Sequence, residues 1–173
     1  LKPNKNKMTE ITIFQTKKTI KSELKTKYNF QNKFNTFWVI NLSNESAKTS
    51  LIEWLKNLPI NFVVLWEKEG IEGNIIYSKT LVDDTLVWFD FALVDNTFEN
   101  IHDYSKDWVV SLVPENFYLK TIYKEFDALN STWNTFFYTE NNVWSMFYSI
   151  VRYLENSKFT YDNKNLIKNV IKM

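Results

Sequence analysis

Short, continuous apolar runs alternate along the chain with longer segments that have helical spacing, and no other feature constrains the fold as strongly. Each run is rich in β-branched and aromatic residues and is bounded by polar residues, as expected of strands that are buried on both faces. The runs predict strands at 37–42, 61–66, 74–78, 89–94, 108–113 and 135–138.

Apolar residues three and four positions apart predict helices between and after these strands. Strands that alternate with helices form right-handed βαβ units and a parallel sheet that is covered on both faces. Asn142 is the expected N-cap of the fifth helix. The predicted helices cover 16–28, 46–58, 98–107, 117–126, 141–155 and 163–172.

The expected architecture is one three-layer, doubly wound α/β domain at 16–173 with a mainly parallel sheet of about six strands. A flexible basic segment is expected before it at 1–15, and a second mobile piece at 67–73. The side chains expected in the core include Trp66, Val94, Val113, Phe137, Phe147 and Val151.

The composition excludes several kinds of catalytic site. The 173 residues include no Cys, one His and two Gly. Without Cys there is no disulfide, thiolate nucleophile or cysteine–zinc cluster, and His102 alone cannot build a His-rich metal site. Two glycines do not suffice for a glycine-rich phosphate loop, so no bound cofactor is expected. No apolar run approaches the roughly 18–20 residues that span a bilayer and no secretory signal is visible, which predicts a cytoplasmic location.

The charge is distributed unevenly along the chain. Residues 1–33 carry nine Lys and two acids, whereas the chain as a whole has a net charge of +1. A basic arm on an acidic body could contact nucleic acid or an anionic membrane surface. The alternative is a solvated lysine-rich helix, which we favour because the arm has no Arg to read base edges. No nucleic-acid partner is therefore expected.

Two acidic clusters suggest metal sites. Asp83 and Asp84 could hold Mg²⁺ beside nucleotide phosphates, or Asp83 could cap a short helical turn at 84–88, which is the interpretation we favour. The glutamates of 67–73 could ligate calcium, but they lack the alternating oxygen spacing of a calcium loop, which favours a solvated turn. No metal site is predicted.

His102 is the remaining candidate for acid–base chemistry. With Glu99 and Asp103 it could form a general base that a carboxylate orients. No nucleophile stands in a recognisable motif beside it, so an exposed position on a polar helix face is the simpler interpretation.

Aromatic residues cluster in the C-terminal third of the chain. Aromatic rings can stack on sugars or bases. Most of these rings fall at strand or core-helix positions, where packing explains them, and Trp133 is left over in a loop.

The order of the segments resembles a known family. Residues 17–30 (KKTIKSELKTKYNF) are similar to its basic helix K-x-x-L-x-x-E-L-G-L, and 37–48 (FWVINLSNESAK) to its F-x-G-R-L-x-x-Q-K-G segment. Residues 89–100 (FDFALVDNTFEN) look like its A-D-F-x-L-x-P-S-x-F-E-P segment. Residues 61–70, 108–122 and 125–155 follow its later strands and helix in the same order. On these segments the chain resembles the C-terminal Rossmann-like half of glycogen/starch synthases, glycosyltransferases of the GT-B type.

The resemblance implies where a nucleotide sugar would bind. In that family an Arg and a Lys neutralise the diphosphate of the donor, and a Glu contacts the donor. The Arg position holds Asn41, the Lys corresponds to Lys48, and the Glu corresponds to Glu99. The family's glycine turn T-G-G-L is replaced by Asn116, Phe117, Tyr118 and Leu119.

Two functions follow from this resemblance. The first is a degenerate, non-catalytic glycosyltransferase-like domain that acts as a structural or interaction module with a protein partner. The second is the donor-binding half of an active enzyme whose N-terminal domain lies upstream, as the start at Leu1 suggests. In the second, Lys48, Glu99 and Asn116 would face an ADP- or UDP-glucose donor, with Tyr118 or Trp133 near the nucleotide.

Overall fold

Six strands and five helices make up the described part of the chain in this computed structural model, which comprises residues 10–27, 30, 34–80, 89–99, 101–127 and 129–173. The helices are α1 (Glu10–Lys27), α2 (Glu45–Leu55), α3 (Ile101–Lys106), α4 (Val143–Ser157) and α5 (Thr160–Ile171). The strands are β1 (Phe37–Asn41), β2 (Asn61–Leu65), β3 (Gly70–Glu72), β4 (Ile75–Ser78), β5 (Phe91–Val94) and β6 (Val110–Leu112).

The strands form a single sheet in the order β3-β4-β2-β1-β5-β6. Every neighbouring pair is parallel except β3 and β4, which are antiparallel. β1 lies at the centre, where Trp38 is in register with Phe62 on one side and Phe91 on the other. The mainly parallel, doubly wound α/β architecture expected from the sequence is therefore confirmed.

Residues of β1 alternate between two cores. Trp38 and Ile40 face the layer of α2, α4 and α5, and the Trp38 ring lies 5.2 Å from the Phe62 ring and 5.0 Å from the Phe91 ring between centroids. Phe37 and Val39 face the opposite core, to which α3 contributes Tyr104. These four side chains are almost fully buried, which explains why the run reads as continuously apolar.

Asparagine side chains fix the start of two helices. Asn44 accepts a hydrogen bond from the Ala47 N–H at 3.0 Å and caps α2, and Asn142 accepts one from the Ser145 N–H at 3.0 Å and caps α4. The Asn142 cap was expected from the sequence and is confirmed, whereas the Asn44 cap was not foreseen. Such caps satisfy N–H groups that have no partner inside the helix. Both caps lie at the edge of the sheet where the parallel strands end.

One of the six strands is not where the sequence predicted it. Residues 70–72, expected to be mobile, form edge strand β3, because Gly73 at φ 61° allows a two-residue turn that pairs Glu72 with Ile75. Residues 135–138 make two isolated parallel bridges, Glu125 to Thr135 and Pro114 to Tyr138, instead of a strand. Pro114 has no N–H, so the ladder is not continued there.

The helix predicted at 117–126 is also wrong, since this segment consists of turns and irregular chain with a single bridge at Glu125. Asn134 holds it in place by accepting a hydrogen bond from the Lys124 N–H at 2.7 Å and donating one to the Ile122 carbonyl at 2.9 Å. Phe117 and Tyr123 are buried in the core on the α3 face. Helix α1 begins at Glu10, earlier than the predicted start at residue 16.

The expected core is correct in part. Val94 and Val113 are fully buried. The other four side chains are half-buried, because they lie at the ends of elements or on the rim of the helical layer. These are Trp66, Phe137, Phe147 and Val151.

Candidate functional site

The strand order reverses between β1 and β5, and this switch point is where open α/β sheets bind ligands, beyond the carboxyl ends of the strands. The loop from β1 to α2 brings Ser43 and Asn44 there, and the loop after β5 brings Asp95, Asn96 and Thr97. Both loops begin where a buried strand ends, so their polar residues are placed by the sheet. The candidate site is therefore the crevice between these two loops.

Asp95 occupies the crevice. Its Oδ2 accepts hydrogen bonds from the Ser43 backbone N–H at 2.5 Å and the Ser43 hydroxyl at 2.6 Å. Its Oδ1 accepts hydrogen bonds from the Thr97 backbone N–H at 3.0 Å and the Thr97 hydroxyl at 2.6 Å. Burial alone would raise the pKa of Asp95, but these four bonds outweigh it and hold the pKa below its ordinary value. The carboxylate is thus a fixed negative charge between the two loops.

A second carboxylate, Glu140, lies at the same edge. Its Oε1 accepts a hydrogen bond from the Asn96 amide at 3.1 Å, and its Oε2 accepts one from the Asn116 amide at 2.7 Å. The Asn96 amide also donates to Asn116 Oδ1 at 3.1 Å. These three side chains join the loops after β5 and β6 to the segment before α4, so Asn116 already has its hydrogen bonds within the chain.

Lys48 lies in a separate cavity at the ends of β1 and β2, where Asn41 and Leu65 also line it. The side chain is almost completely buried, and its Nζ donates to the Leu65 carbonyl at 3.1 Å and to Glu45 Oε1 at 2.6 Å. The ammonium also lies 5.0 Å from the centroid of the Trp66 ring. The cavity has a volume of about 270 Å³, and its charged lining consists of Glu45, Lys48, Glu67 and Lys79. The two positive and two negative side chains of this lining therefore balance in charge, and the Lys48 ammonium is held by Leu65 and Glu45.

The remaining predicted site residues are spread over the molecule. Glu99 is exposed in the loop that joins β5 to α3. Tyr118 is 53% exposed, and its hydroxyl donates to the Phe98 carbonyl at 3.1 Å. Trp133 lies in a loop, as expected, but its ring is buried in the core against Phe126, at 4.6 Å between ring centroids, and its position beside a nucleotide stays a prediction. The structure brings Asn116 and Tyr118 near the crevice and leaves Lys48 and Trp133 elsewhere.

Two residues at the switch point were missed from the sequence, Asp95 and Glu140. Asp95 directly follows an apolar run, which is the signal that could have identified it. Glu140 shows no such signal, because it meets Asn96 and Asn116 only through the fold, 44 and 24 residues apart in sequence.

The other sequence hypotheses gain no support. Asp83 and Asp84 lie outside the described residues. His102 lies in α3, and its pairing with Glu99 and Asp103 stays a prediction. Among the described residues, no three His, Cys, Asp or Glu side chains form a group that could hold a metal ion. No helix in the described ranges has the length and apolar character needed to cross a membrane.

Comparison with known proteins identifies the fold. Neither protein-family models nor curated sequences match this chain. Among solved structures, it is similar to the catalytic domain of starch synthase IV from Arabidopsis thaliana bound to ADP and acarbose, with a TM-score of 0.71 and 12% sequence identity. The match covers 96% of this chain and 41% of that chain, so this chain spans about two-fifths of the length of that relative. The GT-B-like fold implied by the sequence resemblance is confirmed.

Proposed function

We propose that this chain is a non-catalytic glycosyltransferase-like domain that acts as a structural or interaction module, because its own carboxylate fills its ligand crevice. The observation that carries the proposal is the set of four hydrogen bonds that Asp95 accepts from Ser43 and Thr97. In related crevices, backbone N–H groups at loop and helix starts bind the phosphates of the ligand. Here the Ser43 and Thr97 N–H groups are already used.

Electrostatic repulsion adds to this loss of donors. A diphosphate in the crevice would lie next to the buried Asp95 carboxylate, and Glu140 adds a second negative charge at the same edge of the sheet. Two like charges about 4 Å apart repel each other by about 4 kcal/mol at the effective dielectric constant typical of protein surfaces. Lys48, the cation expected to offset such charge, is bound to Leu65 and Glu45. The described residues therefore disfavour a nucleoside diphosphate at this position.

The interaction part of the proposal is supported by exposed aromatic rings on α4. Trp144 and Tyr148 are 70% and 64% exposed, and they lie four residues apart on one helix face. The Trp144 ring packs on Trp54 of α2 at 4.3 Å between centroids. Exposed apolar clusters of this kind are typical of surfaces that bind other proteins.

The experiment that tests the proposal is calorimetric titration of the chain with ADP and with UDP. We expect no saturable binding at millimolar nucleotide, and no transfer of labelled glucose from ADP-glucose or UDP-glucose to glucan. Saturable binding below about 100 μM that Lys48→Ala abolishes would contradict the proposal, since such affinity requires direct cationic contacts.

The second candidate function is the donor-binding half of an active glycosyltransferase. It is favoured by the similarity to a starch synthase catalytic domain whose structure holds ADP, and by the coverage of only 41% of that chain. In this function Lys48 and Glu99 would contact the donor after the cavity at β2 opens. Binding of ADP by the isolated chain, lost in Lys48→Ala and retained in Lys68→Ala, would favour it.

A further inference from the structure

A larger cavity lies at the opposite edge of the sheet, where β5 begins. It has a volume of about 480 Å³ and lies between α1, the start of β5, the end of α4 and α5. This volume falls within the range of small-molecule sites. The cavity plays no part in the function proposed above, and it is lined by Lys17, Lys18, Lys21, Ser22, Lys25, Asn35, Asp90, Tyr153, Asn163 and Ile167.

The lining is strongly basic. Four lysines of α1 contribute to it, and Asp90 is the one acidic residue among its lining residues. Positions 17, 18, 21 and 25 fall on one side of a helix, because they are separated by one, three and four residues. Of the four lysines, only Lys21 contacts a carboxylate within the described ranges, with its Nζ 2.5 Å from Asp90 Oδ1. The cavity therefore holds more positive than negative charge.

Hydrogen bonds fix the positions of Lys17 and Asp90 in the wall of the cavity. Lys17 is 4% exposed, and its Nζ donates to the Phe89 carbonyl at 2.5 Å and the Trp108 carbonyl at 2.9 Å. Asp90 is fixed by Lys21 and by the Phe37 N–H, which donates to its Oδ2 at 3.0 Å. These bonds attach α1 to the sheet, so the lysines nearer the opening are presented from a fixed helix.

The lysines at the opening are available to a ligand. Lys18 is exposed, and Lys25 donates to Asn35 Oδ1 at 2.8 Å, a neutral partner that an anion can replace. Burial and the nearby charge of Lys21 lower the pKa of Lys25, as expected where positive charges are not fully neutralised. Asn163 also lines the cavity, and its Oδ1 is buried without a hydrogen-bond partner among the described residues, so it can accept a bond from a protonated oxygen.

We propose that this cavity binds a small phosphate anion, either free phosphate or a phosphate monoester, through Lys18 and Lys25, next to the ion pair of Lys21 and Asp90. Lysine provides a compact charge with three donors and needs no planar partner, which suits a tetrahedral phosphate. The limited volume of the cavity, which lies between helices, fits a small ligand better than an extended polyanion. A protonated phosphate oxygen, or a hydroxyl next to the phosphate ester, would donate a hydrogen bond to Asn163 Oδ1.

The test is a titration of the full chain with inorganic phosphate and with glycerol 3-phosphate, followed by amide chemical shifts at constant ionic strength. We expect saturable shifts at the start of β5 and in α1. The double variant Lys18→Gln, Lys25→Gln should weaken binding at least about tenfold, because each charged hydrogen bond contributes more than that in a partly buried site. The matched control Lys68→Gln, Lys120→Gln removes the same charge outside the cavity and should leave binding unchanged.

The outcomes separate the sources of the ligand. Tighter binding of glycerol 3-phosphate than of phosphate identifies a monoester site, and equal binding identifies a free-phosphate site. Equal weakening in the two double variants would overturn the proposal, because it would show only general attraction to a basic surface. Binding of a single-stranded oligonucleotide without binding of either phosphate would also overturn it. The single variant Lys18→Gln, at an exposed position, repeats the test if the double variant does not fold.

Discussion

Asp95 accepts hydrogen bonds from both the backbone N–H and the hydroxyl of Ser43, although 52 residues separate the two in sequence. This contact joins the loops after β1 and β5 at the place where the strand order reverses. A carboxylate therefore stands where related folds admit the phosphate of a ligand. The charge of Asp95 should accordingly control which ligands the crevice accepts.

Replacing Asp95 by Asn tests this control. Asp95→Asn keeps the size of the side chain and removes its charge, so we expect the affinity for ADP to rise by about tenfold to a thousandfold. The measurement is a titration with ADP followed by amide chemical shifts in residues 41–47 and 95–99. Glu53→Gln on α2 is the matched control, because it removes one exposed carboxylate elsewhere. An unchanged ADP affinity in Asp95→Asn would show that charge is not what excludes the nucleotide.

The stability of the domain should depend on pH through Lys17. Burial lowers the pKa of Lys17 to about 7 in the folded chain, and the nearby charge of Lys21 lowers it less. The negative charges of Asp90 and Asp107 raise this pKa but do not offset the effect of burial. The unfolded chain keeps the ordinary pKa near 10.4, so between about pH 7 and pH 10 it binds a proton that the folded chain does not. The free energy of unfolding should therefore rise by a few kcal/mol over about pH 7–10.

Urea denaturation at a series of pH values measures this rise. Lys17→Met should flatten the profile between about pH 7 and pH 10, whereas Lys18→Met at the adjacent exposed position should not. Above about pH 10 the trend should reverse, because burial raises the pKa of Tyr138 and Tyr153 and the unfolded chain loses those protons first. A profile for Lys17→Met that matches the unmodified chain would contradict the assignment.

Glu125 should matter more to stability than its ion-pair partner Arg152. Arg152 Nη2 lies 2.5 Å from Glu125 Oε1, and the other oxygen of Glu125 accepts the Phe137 N–H at 2.5 Å. Glu125→Ala removes the acceptor of a backbone N–H and should cost about 1–3 kcal/mol of unfolding free energy. Arg152→Met keeps the stem that packs near Phe136 and should cost less than about 1 kcal/mol. Urea midpoints of the two variants give the comparison, and equal losses would contradict it.

Asn134 should be essential to the turns that replace the predicted helix at 117–126. Its buried amide bonds both the Lys124 N–H and the Ile122 carbonyl. Asn134→Ala leaves both backbone groups without this partner and should destabilise the domain by about 2–4 kcal/mol. The exposed Asn130, whose side chain accepts from Thr132, provides the control Asn130→Ala with a loss below about 1 kcal/mol. Similar losses in the two variants would show that the Asn134 bonds are dispensable.

The central strands could be predicted because a strand buried on both faces has apolar residues at nearly every position. β1, β2 and β5 read as continuous apolar runs, and each lies between two other strands. β3 could not be found in this way, since its residues are exposed at the edge of the sheet and carry no apolar pattern. The aromatic run at 135–138 gave a false strand, because rings buried by turns produce the same pattern as rings buried in a sheet.

The candidate site could be predicted from the sequence only in part. The rule for open sheets selects the loops after β1 and β5 only once the strand order is known. The residues chosen there followed a family pattern, and that pattern has no place for a carboxylate at Asp95. The pairing of Asn96, Asn116 and Glu140 depends on three loops meeting in space, which residue spacing does not reveal.

The two carbonyl groups that hold Lys17 also constrain the order in which the chain folds. They belong to Phe89 and Trp108, which lie 72 and 91 residues further along the sequence. Helix α1 is therefore synthesised well before the segments that hold it. It can pack against the sheet only after the segments before β5 and β6 have formed. Contacts over such distances form late because the intervening chain must first lose its freedom. Although α1 is synthesised before the strands, it should thus be among the last elements to join the folded domain.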